Sequence, residues 1–584
     1  MTVYNKASLV LAESPAYKAG KIQPYYPLTP DVSFDFTRAT SATRVNASGN
    51  IEKETQNLLL QSNQFDTTWD NSSVITLTSG QPDKDGGTSA WELEKGAASS
   101  FLYQSVTTSG INTFSLYAKA NTTNWIMFQV SGIANVRTFF DLGNGVLGSS
   151  LSNVIDAKIE LVGSGWYRCS FSYNGNAVAI RVFPADANND TSGTSGSIYI
   201  QDAQLEQGLV ARNYQETTTT AFYGGITDNI PRLDYTDSSC PSVLLEPQRT
   251  NLIPHSEYFN YPSNSLLTFN SIASPEGLVN AVKIVENTNT NIHGISKTSV
   301  FLTNASAVVY TISVFAKKNQ RDFLQIQTYA DSTSINSNGF DLTNGTITGD
   351  STNHKIEDYG NGWYRCSFTV SITQSTGGYN FIRIAIGKVN NSFYYTGDNT
   401  SGLYLYGFQF EEGSYATSYI PTYGTSVTRN GEVFEKTGLS GVIGQTEGTL
   451  YIEAIFKEEG NLSQWFSLSD GTSNNWVFIG KDNNDIRGYI RANNVVAFSN
   501  QTFQIVNNSV VKAALSYESG SISLYINGSL IASSTNSFSF NQPLDEIYST
   551  TFYNTAAREK VNLDRMLLFK TALTDDECIA LTTL

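Results

Sequence analysis

The sequence predicts an all-β chain: two tandem jelly-roll or β-sandwich domains, followed by a third β-sandwich of a different kind. Three observations carry that prediction. Residues 163–171, Gly-Ser-Gly-Trp-Tyr-Arg-Cys-Ser-Phe, return at 360–368 with eight of nine identical, and the flanking phrases return in the same order. Asn57-Leu58 becomes Asn251-Leu252, Tyr117-Ala118-Lys119 becomes Phe315-Ala316-Lys317, and Phe140-Asp141-Leu142 becomes Phe340-Asp341-Leu342. The offset grows from 194 at Asn57/Asn251 to 205 at Glu206/Glu411, as loop insertions between fixed strands would make it, and so long a period means a duplicated domain rather than a solenoid. Second, only 15% of residues are charged, while 45 Gly, 32 Tyr and 32 Phe favour short strands and tight turns. Third, the duplicated phrase does not return after Gly431, so a different domain begins there.

In chain order, residues 1–45 have no copy and carry Pro15, Pro24, Pro27 and Pro30, which reads as an N-terminal anchoring or packing segment. The first module then spans 46–235, the second 236–430 and the last domain 431–584. Arg44-Val45-Asn46, Arg232-Leu233-Asp234-Tyr235 and Thr428-Arg429-Asn430-Gly431-Glu432 each precede a new block, and the Arg with turn-forming residues predicts a joint on which one domain leans on the next. Strict alternation from Trp166 puts Tyr167, Cys169 and Phe171 on one face, with Cys169 and Cys366 as matching core thiols. Asn144-Gly145, Asn174-Gly175 and, most strongly, Asn527-Gly528 predict hairpins, because both central residues of a two-residue turn need positive φ. Thr574-Asp575-Asp576-Glu577 has the form of a capping box and predicts one short closing helix.

Several function classes are disfavoured. A net charge of -16 works against a phosphate backbone, so no nucleic-acid partner is expected. Four cysteines cannot form a disulfide framework in 584 residues. The start leads into no apolar run, and no run approaches the roughly 18 residues of a membrane span, so neither export by a signal peptide nor membrane insertion is expected. The three histidines, His255, His293 and His354, are far apart, and no nucleophile elbow or phosphate loop is present. Asp186-Ala187-Asn188-Asn189-Asp190 has alternate acids but Thr191 where a calcium loop needs Gly, so no metal ligand is assigned.

The last domain resembles the concanavalin A-like, laminin-G-like fold on its Tyr525-Ile526-Asn527-Gly528 hairpin and its closing segment 566–577. The two repeats resemble the carbohydrate-binding-module-like jelly rolls of bacteriophage fibre and other virion proteins, on the phrases 37–46, 231–235, 244–252 and 419–422. The resemblance implies a non-enzymatic virion protein, a head or tail fibre or a decoration component, that adheres to host-surface glycans and contacts other virion proteins. It implies a homo-oligomer, for which a trimer is the expectation, and leaves calcium open as the one cofactor. A glycan-degrading enzyme of concanavalin-like fold with accessory modules, and a purely structural spacer, are the competing readings.

A pyranose offers an apolar C–H face, so its site needs an aromatic ring flanked by amide and hydroxyl groups. Trp166 and Trp363 are duplicated and read as structural, and Trp91 and Trp125 align with apolar residues. Trp465 and Trp476, on sequence rich in Ser, Asn and Asp and close to Asp470, are therefore the candidate ligand residues, with Trp69 beside them. A packing role competes at each Trp. Glu453, Glu458 and Glu459 are read as a solvated face.

Overall fold

The computed structural model describes residues 3–27, 32–71, 74–298, 304–330, 333–337, 339–349, 352–374, 380–389, 392–457, 462–549 and 559–584. The chain is all-β, with one α-helix, Asp575–Thr582, among the described residues. None of its described helices is long and apolar enough to cross a membrane. It divides into two compact units: residues 54–225 with 250–427, and residues 1–53, 226–249 and 428–584.

The first unit holds the duplicated modules as two sandwiches. In the first, Trp166–Asn174 lies between Val154–Gly163 and Ile111–Ala120 in one six-stranded sheet, and Trp125–Ser131 and Ala177–Ala185 pair in the other. The second repeats this around Trp363–Gln374 and Asn304–Lys318. The matching thiols take matching registers, Leu116↔Cys169 and Val314↔Cys366, and both are buried among apolar side chains. The duplicated Asn has an equally physical cause. Asn57 donates to the Ala203 and Gln215 carbonyls (3.0 and 2.8 Å) and accepts from the Leu59 and Leu205 amides (3.2 and 3.1 Å). Asn251 does the same with Phe408, Ile420, Ile253 and Phe410. A buried amide that spends both donors and its acceptor oxygen on four backbone groups staples the start of a module to its end, and only Asn of that length supplies the set.

Within this unit the sandwiches are in contact. The Ile111 amide donates to the Tyr423 carbonyl at 2.6 Å, and a Cβ on Gly110 would stand 1.6 Å from that oxygen, so the approach requires glycine. Arg212, on the tail of the first sandwich, donates through Nε (3.0 Å) and Nη2 (2.5 Å) to Glu276 of the second.

The second unit is a third sandwich of an eight-stranded and a nine-stranded sheet. The N-terminal segment packs into this sandwich by strand pairing. Leu9–Leu11 pairs with Val561–Phe569 (Leu9↔Leu568), Phe34–Thr37 with Val433–Lys436 (Phe36↔Phe434), and Ser242–Leu245 again with Val561–Phe569 (Val243↔Leu563). Leu9, Phe34, Phe36, Val243 and Phe434 enter one core with Leu450, Phe466, Leu524 and Met566. Three distant segments make one domain because each supplies strands with one apolar face that alone would remain in water.

The predicted joints meet inside this unit, although with Arg38 in place of Arg44, which pairs with Glu52 in a local hairpin. Arg38 and Arg232 both engage Glu432, at 3.1 Å and 2.5 Å, Arg232 also holds Glu246 at 2.9 Å, and Arg429 pairs with Glu246. All five side chains are fully buried. The excess positive charge is spread onto carbonyls: Arg38 Nε donates to Thr40 and Arg429 Nη2 to Pro247. Burial alone would raise the Glu432 carboxyl, but Arg232, Arg38 and Arg429 hold it below its usual range, whereas burial, with Arg232 and Arg429 nearby, brings Arg38 down to about 10.

Of the predicted hairpins, Asn527-Gly528 has φ of 47° and 78° and turns Ser521–Ile526 into Ser529–Ser534. Asn174-Gly175 does not close a hairpin: the strands it joins belong to different sheets. The predicted capping box is present, with the Thr574 hydroxyl accepting from the Glu577 amide and Glu577 accepting from the Thr574 amide. That helix packs Cys578 and Leu581 on Tyr451, Tyr525, Leu567 and Phe569, which covers part of the outer face of the eight-stranded sheet.

Candidate functional site

The outer face of the nine-stranded sheet is different. Alternation in Ser463–Ser469, Trp476–Asp482 and Asp485–Ala492 sends Phe466, Leu468, Val477, Ile479, Ile486 and Ile490 to the core. The other set, Trp465, Trp476, Phe478, Arg487, Tyr489 and Arg491, therefore shares the opposite face. Register places Phe478 opposite Tyr489 and Tyr489 opposite Ser499, while Trp476 stands opposite Arg491.

The rings form a column. Trp465 stacks on Phe478 with centroids 4.4 Å apart and planes 8° from parallel, Phe478 stacks on Tyr489 at 5.0 Å and 22°, and the Arg487 guanidinium lies 5.0 Å from the Tyr489 centroid. Gly480, opposite Trp465, keeps this spacing: a Cβ there would lie 2.6 Å from the Trp465 Cα. Trp476 tilts against the column, 4.9 Å from Phe478 and 5.5 Å from Trp465. Arg487 is neutralised by Asp482 at 2.7 Å and donates to the Ser499 hydroxyl at 3.2 Å. Arg491 has neither hydrogen bond nor ion pair among the described residues, and its Nε is buried without an acceptor.

Beside this face runs a groove of about 250 Å³ between the edge strands Val495–Gln504 and Ser529–Ser534. Ser499, Asn500, Ser533, Ser534 and Asn536 bring hydroxyls and amides to it, and Val496, the register partner of Arg491, forms one lip.

The far end of the same face is acidic. Asp35 stands opposite Glu435, and Glu435 opposite Tyr548, two residues along from Glu546. Burial, then Asp35 and Glu546, push the Glu435 carboxyl above its usual range; burial, then Glu546 and Glu435, push the Tyr548 phenol up to about 12.

The sequence-predicted residues fare unequally. Trp465 is half-buried, with one ring face on Phe478 and an indole N–H without an acceptor. The expectation that Trp476 is an exposed platform is corrected: it is 4% exposed, because Trp465, Phe478 and Tyr489 enclose it. Asp470 organises its own loop, accepting from the Thr472 amide (2.9 Å) and hydroxyl (2.6 Å) and from the Asn475 amide group (2.6 Å). Trp69 is likewise corrected. It is 5% exposed in the core of the first sandwich, edge-on to Phe65 with its N–H on the Gln61 carbonyl, and has no ring face to offer a ligand. Sequence reasoning missed Phe478, Arg487, Tyr489 and Arg491, although the alternation in Asp485–Ala492 was the available signal.

The alternate-acid loop at 186–190 is closed by protein groups: Lys95 holds both Asp186 oxygens at 2.6 Å, and Asp190 accepts from the Ser192 amide and hydroxyl. Among the described residues, no group of three or more His, Cys, Asp or Glu could hold a metal ion. Glu453 pairs with Arg565, while Glu458 and Glu459 lie outside the described residues.

No family model and no curated protein matches the chain. Among solved structures it is similar to the CBM40 of the Ruminococcus gnavus IT-sialidase bound to α2,3-sialyllactose, at 21% identity over 25% of this chain and 91% of that one, with a TM-score of 0.23. It is also similar to domain 4 of AbnA, a GH43 extracellular arabinanase from Geobacillus stearothermophilus in complex with arabinotriose, at 16% identity over 26% of this chain and 73% of that one, with a TM-score of 0.22. The N-terminal CBM22-1–CBM22-2 tandem of Paenibacillus barcinonensis Xyn10C aligns at 11% identity over 62% of this chain and 98% of that one, with a TM-score of 0.19.

Proposed function

We propose that this protein binds glycans without cleaving them, through the outer sheet face of the third sandwich, and serves as an adhesive component of a virion. One observation carries the binding reading: a Trp465–Phe478–Tyr489 column, buried at Phe478 and half-buried at Trp465 and Tyr489, lies beside a groove lined with hydroxyls and amides, on a face that no described helix covers. A sugar ring takes its apolar contact from the first and its hydrogen bonds from the second. The virion setting, with other virion proteins and host-surface glycans as partners and a trimer as the assembly, rests on the sequence resemblance of the repeats.

Isothermal titration of the full chain against host-surface polysaccharide tests the binding reading. Trp465→Ala is expected to weaken binding while the fold persists; Trp476→Ala is expected to cost about 3–5 kcal/mol of stability, as removal of an enclosed Trp does. Unchanged affinity for Trp465→Ala would count against this face. Antibody labelling of particles tests the virion setting, and sedimentation of the full chain tests the trimer.

A glycan-cleaving enzyme is the second reading, favoured by one observation: Glu435, its carboxyl raised, stands directly opposite Asp35 on the same face. Directly opposed residues have Cβ atoms about 4.5–5.5 Å apart, and paired carboxylates are the machinery of glycosidases. Sustained release of reducing ends that Glu435→Gln abolishes would establish it and sink the non-enzymatic proposal.

A further inference from the structure

We infer that the glycan is acidic, and that Arg491 reads its carboxylate or sulfate group. This deepens the glycan reading and rests on it. The described arginines elsewhere are all engaged: with carboxylates, as at Arg38, Arg212, Arg321 and Arg565; with a hydroxyl, as at Arg168 and Arg365; with a backbone carbonyl, as at Arg249; or over a ring, as at Arg137. Arg491 has none of these partners, and its Nε is buried without an acceptor. Along its cross-strand row, Trp476 and Ser469 intervene before the next carboxylate, Glu546. Three strand spacings of about 4.8 Å put these two charges roughly 14 Å apart, beyond one Debye length at physiological salt. The neighbouring cation, Arg487, is already neutralised by Asp482.

An unpaired guanidinium whose cross-strand partner, Val496, lines a polar groove keeps several N–H donors in a planar fork, which matches a carboxylate or sulfate in bidentate geometry. The acidic protein as a whole repels a polyanion at long range, so the one uncompensated arginine among the described residues of this face fixes where and in which orientation such a chain settles. Tyr489 and Trp465 then meet the apolar side of the ring next to the acid group.

The test is titration of the full chain with four probes: polygalacturonate, its fully methyl-esterified form, dextran sulfate and dextran. Polygalacturonate or dextran sulfate is expected to bind at least tenfold tighter than its neutral counterpart, and which of the two binds separates carboxylate from sulfate recognition. Arg491→Gln is expected to remove that preference, with a melting temperature within a few degrees because no hydrogen bond or ion pair is lost, and Arg491→Lys to restore only part of it. Equal binding of charged and neutral partners, or a preference that survives Arg491→Gln, would overturn the assignment while leaving the glycan reading intact. Binding of none of the four would overturn both.

Discussion

The first and second sandwiches are copies of one module, yet they balance the same patch of charge by different means. In the first, Lys84, from the loop between Ile75–Gln81 and Ala90–Lys95, sits 3.1 Å from Asp202 and 5.0 Å from the Tyr117 ring centroid, all within one module. In the second, the corresponding loop carries Glu276, which accepts from the Tyr406 hydroxyl (3.0 Å) and the Asn280 amide (2.9 Å), and whose cation is Arg212 of the first sandwich. Burial would lower the Arg212 guanidinium, but Glu276 and Glu206 hold it well above its ordinary value. Duplication has thus given two folds of equal topology and unequal autonomy: the first carries its own counter-charge and the second borrows one.

The sharpest way to break that comparison is to remove the borrowed charge. Arg212→Ala is expected to destabilise the second sandwich by about 3–5 kcal/mol, since it takes away the cation that donates twice to the largely buried Glu276 carboxylate, whereas Lys84→Ala, which removes one 3.1 Å contact to Asp202, should cost the first less. Denaturant melts of the full chain read both, and adding Glu276→Gln to Arg212→Ala should recover part of the loss. Equal losses from the two single variants would show that both modules are self-sufficient.

A smaller effect separates the pieces. Segment 250–427 expressed alone is expected to melt several degrees below segment 54–225 alone, and adding the first segment in trans should raise its transition. A second segment that melts at or above the first would refute the dependence.

Acid provides a control in which the modules should agree. Asp83 in the first accepts from Ser89, Gly87 and Asp85, and Asp398 in the second from Ser401 and Thr400, which holds both carboxyls well below the usual range. A lowered pKa gives stability that is complete above the unfolded value of about 3.9 and is lost as pH falls through the folded one. Protection of the Gly87 and Ser401 amides from exchange should therefore hold from pH 7 to about 4 and fall below it, in both modules alike.

The smallest effect expected is at the thiols. Burial pushes Cys169 and Cys366 well up, and Cys578 is buried as well, whereas Cys240 is exposed. A thiol reagent should modify one cysteine per native chain, Cys240, and any labelling of Cys366 but not Cys169 would show that the second sandwich opens more often.

What the sequence made legible follows from range. The repeated Trp-Tyr-Arg-Cys strand, the Asn527-Gly528 turn and the Thr574 cap are each specified by neighbours in the chain, and each is present. Which Trp is exposed was not legible, because alternation assigns Trp476 to a face but not the rings that close around it from neighbouring strands. The paired arginines 232 and 429 were visible as a motif, but their convergence with Arg38 on Glu246 and Glu432 is a property of tertiary pairing between segments some 200 residues apart.

That convergence also sets a timetable. Leu9 cannot meet Leu568 until nearly the whole chain has left the ribosome, which at 5–20 residues per second takes about half a minute to two minutes. In the last part of that interval the two duplicated sandwiches can be complete, and Phe34–Thr37 can already pair with Val433–Lys436, while Leu9–Leu11 still waits for Val561–Phe569. A chain cut short anywhere before residue 561 therefore leaves Leu9–Leu11 without its partner strand, so a protease that attacks the N-terminus would distinguish truncated molecules from finished ones.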